Sequence, residues 1–219
     1  MTNSNIEDFK IPNGFILFIS GVPGVGKTTV SYELLRRFNE FRIIEETDIL
    51  RDALRGYNEF LTDKFGTALK SMLKETEIFA HTKLLTLEEA KDQCIIMKSS
   101  IENIVMRQQR KGISSIINGV HIIPEILKEL ANSSNIVFIN LFIDNQESLH
   151  KRITQRDPKS YMQHNIPLIF KTNNDLFNST KNLEALKENS FFNINITSLD
   201  IDKTLSEIIQ CIQIKLQKE

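Results

Sequence analysis

A glycine-rich stretch near the N-terminus has the residue types and spacing that bind phosphate. It fits G-x-x-x-x-G-K-[ST], and it lies between an apolar segment, 15–20, and a helix-like segment, 30–38. Backbone N–H groups of such a loop converge with the positive end of a helix dipole, so the loop attracts anions. A ligand-free turn is the alternative, and the complete motif with both flanks argues against it. The predicted nucleotide-binding residues are Gly21, Val22, Pro23, Gly24, Val25, Gly26, Lys27, Thr28 and Thr29.

Three side chains could supply further parts of phosphoryl transfer. The lysine of this motif reaches the β- and γ-phosphates and the next hydroxyl ligates Mg²⁺, positions that Lys27 and Thr28 hold here. Asp48 follows a predicted strand, 42–45, and ligands of open parallel sheets bind beyond the carboxyl ends of strands. We therefore predict that Asp48 orients the attacking hydroxyl and ligates Mg²⁺ together with Thr28. An ordinary N-cap aspartate is the alternative.

Two pairs of arginines are spaced four residues apart on predicted helices, so each pair shares one helix face. Arg51 and Arg55 lie on the helix that Asp48 begins, and Arg152 and Arg156 lie on the helix after the fourth predicted strand. Guanidinium groups bind phosphate or carboxylate through paired hydrogen bonds, so the first pair could bind an anionic acceptor. The second pair could neutralise the transferring phosphoryl group. A solvated basic surface is the alternative for both pairs.

Other polar residues have simpler explanations. His121 lies in a loop at a strand end, where a lone histidine is somewhat more often structural than catalytic. Asp144 forms a capping-box pattern with Glu147, which explains it without a metal. Cys94 and Cys211 lie on apolar helix faces without metal-ligand spacing, which indicates inert thiols in a reduced protein.

Strand-like and helix-like segments alternate along the chain, which predicts an α/β fold with a mainly parallel sheet. We predict a polar, flexible arm over 1–13 and a single domain over 14–219, with a helical lid over about 145–188. The predicted strands are 15–20, 42–45, 113–117, 135–143 and 191–196. The predicted helices are 30–38, 49–56, 60–87, 88–111, 124–130, 145–156, 167–188 and 202–216.

The overall composition narrows the class of protein. A chain of 219 residues can bury a sizeable core, and its net charge of -1 argues against a broad nucleic-acid or membrane surface. The first ten residues have no secretory pattern, and no apolar run approaches the ~20 residues that span a bilayer. We therefore predict a cytoplasmic protein with no nucleic-acid or membrane partner; the sequence does not indicate its oligomeric state.

Together, these stretches resemble P-loop kinases of the 2-phosphoglycerate kinase type. The similarity covers 15–216 and is most particular at Thr-Asp-Ile-Leu-Arg-Asp-Ala-Leu-Arg, 47–55, and at Ile-Ile-Asn-Gly-Val-His-Ile-Ile-Pro, 116–124. It implies the P-loop NTPase three-layer sandwich with a five-stranded sheet, ATP as the phosphoryl donor, and Mg²⁺. It also implies a small anionic acceptor, best 2-phosphoglycerate, which would be converted to its bisphosphate.

The resemblance also implies roles for the polar residues. Asp48 would hold the acceptor hydroxyl and help to place Mg²⁺; the acceptor pocket would be lined by Arg51, Arg55 and His121; and the phosphates would be covered by Arg152 and Arg156. The sequence departs from the family pattern where Asn118 replaces a usual glutamate, where the histidine before the lid arginines is displaced to His150, and where Lys171 stands for a further arginine.

Three other functions stay open. A nucleoside or nucleotide kinase would need a pocket for a second base, and the sequence has no clear aromatic stacking signature for one. A zeta-toxin-like kinase that acts on a nucleotide sugar has a similar layout. A regulatory ATPase without phosphotransfer would agree with the loss of a carboxylate at Asn118.

Overall fold

Five parallel strands form one sheet in the order β2-β3-β1-β4-β5 in the computed structural model, which describes residues 10–66, 86–187 and 189–217. The strands are β1 (Ile16–Ser20), β2 (Phe41–Glu46), β3 (Ser114–Asn118), β4 (Ile136–Phe142) and β5 (Phe191–Asn195). The α-helices are α1 (Lys27–Arg37), α2 (Thr47–Phe65), α3 (Leu87–Arg110), α4 (Pro124–Leu127), α5 (Gln146–Arg156), α6 (Ile166–Leu186) and α7 (Ile201–Leu216). Two 3₁₀ segments cover Lys128–Asn132 and Tyr161–Asn165.

Apolar side chains on both faces of the sheet divide the core into two clusters. In β1, Leu17 and Ile19 face one cluster, whereas Ile16 and Phe18 face the other. Helices α1, α5 and α7 contribute to the first cluster, and helices α3 and α4 contribute to the second. Strands buried on both faces read as continuous apolar runs, which is why β1 and β4 could be recognised from the sequence. The predicted three-layer α/β fold is confirmed, and every pairing in the sheet is parallel.

Helix α3 begins at a capping box and presents one polar residue on its buried face. Thr86 Oγ1 accepts a hydrogen bond from the backbone N–H of Glu89, and the Glu89 carboxylate accepts one from the backbone N–H of Thr86. The buried face of α3 includes Ala90, Gln93 and Met97 at helical spacing. Helix α3 places the Gln93 side chain within hydrogen-bond distance of His121, which follows the end of β3.

Two packing contacts concern the predicted arm over 1–13 and the predicted lid over about 145–188, whose bounds stay predictions. Within the predicted arm, residues 1–9 lie outside the described residues, but Ile11 is buried and Pro12 O accepts a hydrogen bond from Ser114 Oγ. Within the predicted lid, α6 buries Leu176 and Leu183 against the second core cluster. Residues 11 and 12 and the apolar face of α6 thus pack on the body of the protein.

The sequence pattern between residues 49 and 87 was the most difficult to interpret. Helix α2 continues to Phe65, although the pattern predicted an end at Gly56; Tyr57, Phe60 and Phe65 are more than half exposed, so burial of an apolar face does not explain the extension. Of the predicted helix 60–87, residues 67–85 lie outside the described residues.

Candidate active site

The loop between β1 and α1 adopts a conformation that depends on its glycines. Gly21 and Gly24 have φ values of 138° and 91°, which side chains with a Cβ rarely adopt. A Cβ at Gly21 would lie 2.5 Å from Leu141 O, and one at Gly24 would lie 2.7 Å from Ile153 Cγ1. Helix α1 starts directly after the loop and has no acidic residue in its first turn. Its unpaired N–H groups and the positive end of its dipole therefore face the loop.

Lys27 is folded back onto the loop and is influenced by charges of both signs. Its Nζ donates hydrogen bonds to Gly21 O at 2.8 Å and Val22 O at 2.9 Å, and the side chain is buried. Burial lowers the pKa of Lys27 to about 8; the negative charge of Asp48 raises this pKa, and the positive charge of Arg156 lowers it. Asp48 and Arg156 therefore both act electrostatically on the predicted phosphate-binding lysine.

Asp48 lies in the first turn of α2, directly beyond β2. The N-cap of this helix is Glu46, so the alternative in which Asp48 is an ordinary N-cap is wrong. Its carboxylate is 55% exposed, with Arg51 Nη1 at 3.5 Å and His121 Nδ1 at 3.8 Å from Oδ1. An exposed carboxylate at a strand end beside the phosphate-binding loop is able to accept a hydrogen bond from a bound hydroxyl.

The two arginines of α2 differ in environment. The Arg51 side chain is 2% exposed and forms ion pairs with Asp48 at 3.5 Å and Asp52 at 3.0 Å. Arg55 is 37% exposed and also contacts Asp52, at 3.3 Å. The positive charge of Arg51 lowers the pKa of Tyr161, although burial of the phenol raises it more, so the segment after α5 comes near Arg51. The solvated-surface alternative is therefore wrong for Arg51.

The arginines of α5 lie at the phosphate-binding loop. Arg152 and Arg156 line a cleft of about 360 Å³ together with Lys27 and the exposed Thr28. Arg152 Nη2 also donates a hydrogen bond to Ile196 O at 2.7 Å, which anchors its guanidinium beyond the end of β5. Positive side chains and a helix N-terminus meet in this cleft, so it has the charge that a polyphosphate requires.

A second cleft adjoins the first and is mostly apolar. It shares Gly26, Thr29 and Arg152 with the phosphate cleft and has a volume of about 170 Å³. Its other lining residues include Val30, Ile196, Leu199 and Ile201. A flat apolar group connected to a polyphosphate could occupy the two clefts together, which is the shape of a nucleoside triphosphate.

His121, which the resemblance places at the acceptor pocket, is enclosed by protein groups in this structure. The side chain is fully buried; its Nδ1 lies 2.9 Å from Thr47 Oγ1 and its Nε2 lies 2.8 Å from Gln93 Oε1. Burial lowers the pKa of His121 to about 4, so the imidazole is neutral near pH 7. In this structure the ring connects the start of α2 to α3 through both nitrogens, and its role at the acceptor stays a prediction.

Asn118, at the end of β3, braces α1. Its Nδ2 donates a hydrogen bond to Ser31 Oγ at 2.9 Å, and Ser31 Oγ donates to Lys27 O, also at 2.9 Å. A glutamate here would place a charge in a buried network that now contains only neutral groups. Asn118 therefore supports the helix that carries Lys27.

The oxygen donors near the loop fit Mg²⁺. Among residues 10–66, 86–187 and 189–217, no group of three or more His, Cys, Asp or Glu side chains could form a metal cage. Mg²⁺ is commonly bound by one or two protein oxygens together with substrate phosphates and water, so a complete cage is not required. The exposed Thr28 hydroxyl and the exposed Asp48 carboxylate are oxygen donors of this kind.

Sequence reasoning missed several features of the site. Gln93 gave a usable signal, because a polar residue on the apolar stripe of a helix must find a buried partner. Tyr161 gave none, since its approach to Arg51 depends on how the chain turns after α5. The capping-box interpretation of Asp144 was wrong: Asn145 is the N-cap of α5, and the Asp144 carboxylate instead accepts a hydrogen bond from Asn195 Nδ2 at 2.8 Å.

The parallel sheet of order β2-β3-β1-β4-β5, with a phosphate-binding loop after its central strand, has the P-loop kinase fold. A solved structure of shikimate kinase from Acinetobacter baumannii in complex with shikimate aligns with a TM-score of 0.50 and 16% identity. The alignment covers 91% of this chain and 93% of that one, and at this identity it supports the fold alone.

Curated relatives confirm the resemblance to P-loop kinases of the 2-phosphoglycerate kinase type. A 2-phosphoglycerate kinase of Methanococcus maripaludis strain C7 is 30% identical over 155 residues, which are 66% of this chain and 48% of that protein. The Methanocaldococcus jannaschii 2-phosphoglycerate kinase is 27% identical over 160 residues, 68% of this chain and 50% of that protein. The chain thus spans about half the length of the curated relatives it matches.

A further relative has a different acceptor in its name. The mevalonate-3-phosphate 5-kinase of Thermoplasma acidophilum is 25% identical over 151 residues, 66% of this chain and 69% of that protein. A comparison with models of protein families gives no match. Among the helices of the described ranges, none is both long and apolar enough to pass through a bilayer.

Proposed function

We propose that this protein is an ATP-dependent small-molecule kinase, which transfers the γ-phosphoryl group to a hydroxyl of a small anionic acceptor in the cytoplasm. The observation that carries the proposal is the cleft that Lys27 and Arg156 line together at the phosphate-binding loop, close enough to the exposed Asp48 carboxylate for its charge to raise the Lys27 pKa. In-line phosphoryl transfer requires a phosphate-binding lysine, a carboxylate and an arginine at one loop.

The described residues suggest how the nucleotide is held. On binding, Lys27 exchanges the carbonyls of Gly21 and Val22 for phosphate oxygens, while backbone N–H groups of the loop bind the same phosphates. Mg²⁺, held by Thr28 and Asp48, would supply positive charge to the phosphate oxygens. Arg152 is already anchored at the cleft through Ile196 O, so little of its side-chain order must be created on binding.

Asp48 would act on the acceptor. Its exposed carboxylate accepts a hydrogen bond from the acceptor hydroxyl and takes the proton as the new oxygen–phosphorus bond forms, while the bond from the γ-phosphorus to the β,γ-bridging oxygen of ATP breaks and ADP leaves. Negative charge that spreads over the transferred group is then neutralised by Lys27 and by Arg156, which line the same cleft.

We propose 2-phosphoglycerate as the acceptor, on the strength of the relatives' names and of two neighbouring arginines. The names of the relatives contain 2-phosphoglycerate and mevalonate 3-phosphate, and both compounds are phosphorylated carboxylic acids with a free hydroxyl. Arg51 and Arg55 share Asp52 as a partner beside Asp48. An acceptor phosphate or carboxylate could replace Asp52 on either guanidinium, because arginine binds both anions in the same bidentate manner.

The test is a phosphotransfer assay with Mg-ATP and a panel of acceptors: 2-phosphoglycerate, mevalonate 3-phosphate, nucleosides, nucleoside monophosphates and a nucleotide sugar. ADP release and ³¹P spectra of the products are measured. We expect turnover with phosphorylated acids, and kcat reduced at least about 100-fold in Lys27→Ala and Asp48→Asn, since both act on developing charge or on the nucleophile. Asp202→Asn is the matched control, because Asp202 also lies in the first turn of a helix and contacts an arginine.

Each alternative predicts a different result. Turnover restricted to nucleosides or to the nucleotide sugar would contradict the proposed class of acceptor and would still support a kinase. Tight nucleotide binding without phosphotransfer to any acceptor would contradict the proposal and favour a regulatory ATPase. Full activity in Asp48→Asn would exclude its role at the hydroxyl.

A further inference from the structure

Three buried polar side chains connect helix α3 to the start of helix α2. Gln93 Oε1 lies 2.8 Å from His121 Nε2, and His121 Nδ1 lies 2.9 Å from Thr47 Oγ1. Gln93 and His121 are 0% exposed and Thr47 is 2% exposed, so water does not compete for these hydrogen bonds. The chain of contacts ends one residue before Asp48.

The chemistry of the three groups fixes the direction of the hydrogen bonds. An amide oxygen only accepts, so Gln93 Oε1 requires the ring proton on Nε2. Nδ1 of the neutral ring then has a lone pair, which accepts the Thr47 hydroxyl proton. Gln93 therefore sets the tautomer of His121, because a partner that can only accept determines which ring nitrogen carries the proton.

The tautomer matters because Asp48 lies on the same side of the ring. Asp48 Oδ1 is 3.8 Å from His121 Nδ1, so a proton on Nδ1 would be drawn towards this carboxylate. With the proton held on Nε2 by Gln93, His121 has no N–H to offer to Asp48. Apart from its ion pair with Arg51, the Asp48 carboxylate then keeps its acceptor capacity for groups outside the protein.

The position of Thr47 is constrained from the other side as well. A Cβ at Gly119 would overlap the Thr47 side chain, so Thr47 packs directly on the backbone at the end of β3. The N-cap of α2, Glu46, provides no side-chain hydrogen bond. The bond to His121 therefore helps to fix the first turn of α2, which carries Asp48, together with the ion pair between Asp48 and Arg51.

We propose that Gln93 is a positioning residue for Asp48, acting through His121 and Thr47 to set the direction and the free lone pairs of the candidate catalytic carboxylate. This inference rests on the proposed kinase function for its kinetic consequences. Its structural content, the tautomer of His121, does not depend on any acceptor.

The kinetic test uses Gln93→Leu, which has similar bulk and no acceptor. We expect kcat to fall about 10- to 100-fold, the range typical of outer hydrogen-bond partners of a site, with KM for ATP unchanged within about twofold. Gln108→Leu is the matched control, because Gln108 is a glutamine of the same helix, is 1% exposed and bonds to Glu45 instead. Gln93→Met replaces Gln93→Leu if thermal unfolding shows that the latter does not fold. Unchanged kcat in a folded Gln93 variant overturns the inference while leaving the kinase proposal intact.

A double-mutant cycle separates positioning from independent structural damage. Thr47→Val removes the hydroxyl at nearly constant shape, and Gln93→Leu removes the other end of the connection. If both act through His121, the double variant is about as slow as the slower single variant. Multiplication of the two losses in kcat would mean independent effects and would overturn the inference.

A spectroscopic test requires no turnover. ¹⁵N NMR of the imidazole nitrogens, assigned by the missing signal in His121→Asn, reports which nitrogen carries the proton. We expect Nε2–H in the unsubstituted protein and in Gln108→Leu, and a gain of Nδ1–H in Gln93→Leu. If no acceptor is phosphorylated, this result still decides whether Gln93 sets the tautomer. Nδ1–H in the unsubstituted protein, or no change in Gln93→Leu, overturns the inference.

Discussion

The affinity for nucleotide should depend on pH around pH 8, because Lys27 loses its charge there. Burial lowers the pKa of Lys27 from 10.5 to about 8 in the nucleotide-free protein. Bound phosphates favour the charged lysine, so binding raises this pKa and takes up a proton wherever the free lysine is neutral. Affinity is therefore highest below about pH 8 and falls as pH rises through the Lys27 pKa.

The size of the effect follows from the shifted value. With a pKa of about 8, roughly 90% of Lys27 is charged at pH 7 and roughly 10% at pH 9. The apparent dissociation constant for ATP should therefore rise about tenfold between these pH values, or about 1.4 kcal/mol. A lysine with the ordinary pKa of 10.5 would change the constant by only a few per cent over the same range.

Titration with a fluorescent ATP analogue from about pH 6.5 to 9.5, without Mg²⁺, measures this dependence. Asp48→Asn removes the group that raises the Lys27 pKa, so the midpoint should move to lower pH. Arg156→Gln removes a group that lowers it, so the midpoint should move to higher pH. Opposite shifts cannot come from general damage to the fold.

Lys27→Met is the control, because it should bind more weakly and lack the alkaline transition. An affinity that stays constant to about pH 9.5 in the unsubstituted protein would refute the buried, partly deprotonated lysine. The same transition in Lys27→Met would assign it to another group.

Two further predictions concern the connection between α3 and α2. Burial lowers the pKa of His121 from 6.5 to about 4. Between these two pH values the unfolded chain takes up a proton that the folded protein does not, so the folded state loses stability as pH falls from 6.5 to about 4. The free energy of unfolding should decrease by about 3 kcal/mol over this range. Urea unfolding at several pH values should show this loss of stability in His150→Asn, the control at an exposed histidine, and not in His121→Asn. If the unfolding free energies of the two variants depend on pH in the same way, the prediction is wrong. Gly119→Ala should lower the unfolding free energy by about 1–3 kcal/mol and reduce kcat, because its φ of 153° and the overlap of a Cβ with Thr47 both oppose a side chain there; a variant as stable and active as the original protein would exclude a tight Gly119–Thr47 contact.

Local sequence patterns predicted the structure correctly where all interacting residues belong to one short stretch of the chain. The glycines, Lys27 and Thr28 could be placed because the loop, the strand before it and the helix after it are adjacent in sequence. Strand β1 was recognised because burial on both faces leaves a continuous apolar run. The helix starting near Asp144 was expected for the right reason, a capping side chain, but two neighbouring acceptors compete and Asn145 supplies the cap.

The sequence by itself determined the α/β class, the phosphate-binding loop and the placement of Asp48 at a strand end, because each depends on neighbouring residues or on helical and strand periods. Only the tertiary structure decided that Arg51 is buried among carboxylates, that α6 belongs to the core, and that His121 lies between Gln93 and Thr47. Periodicity tells which face of an element is buried, whereas the partner on that face depends on strand order and on how the helices cross the sheet. The identity of a buried polar residue's partner is therefore a property of the assembled fold.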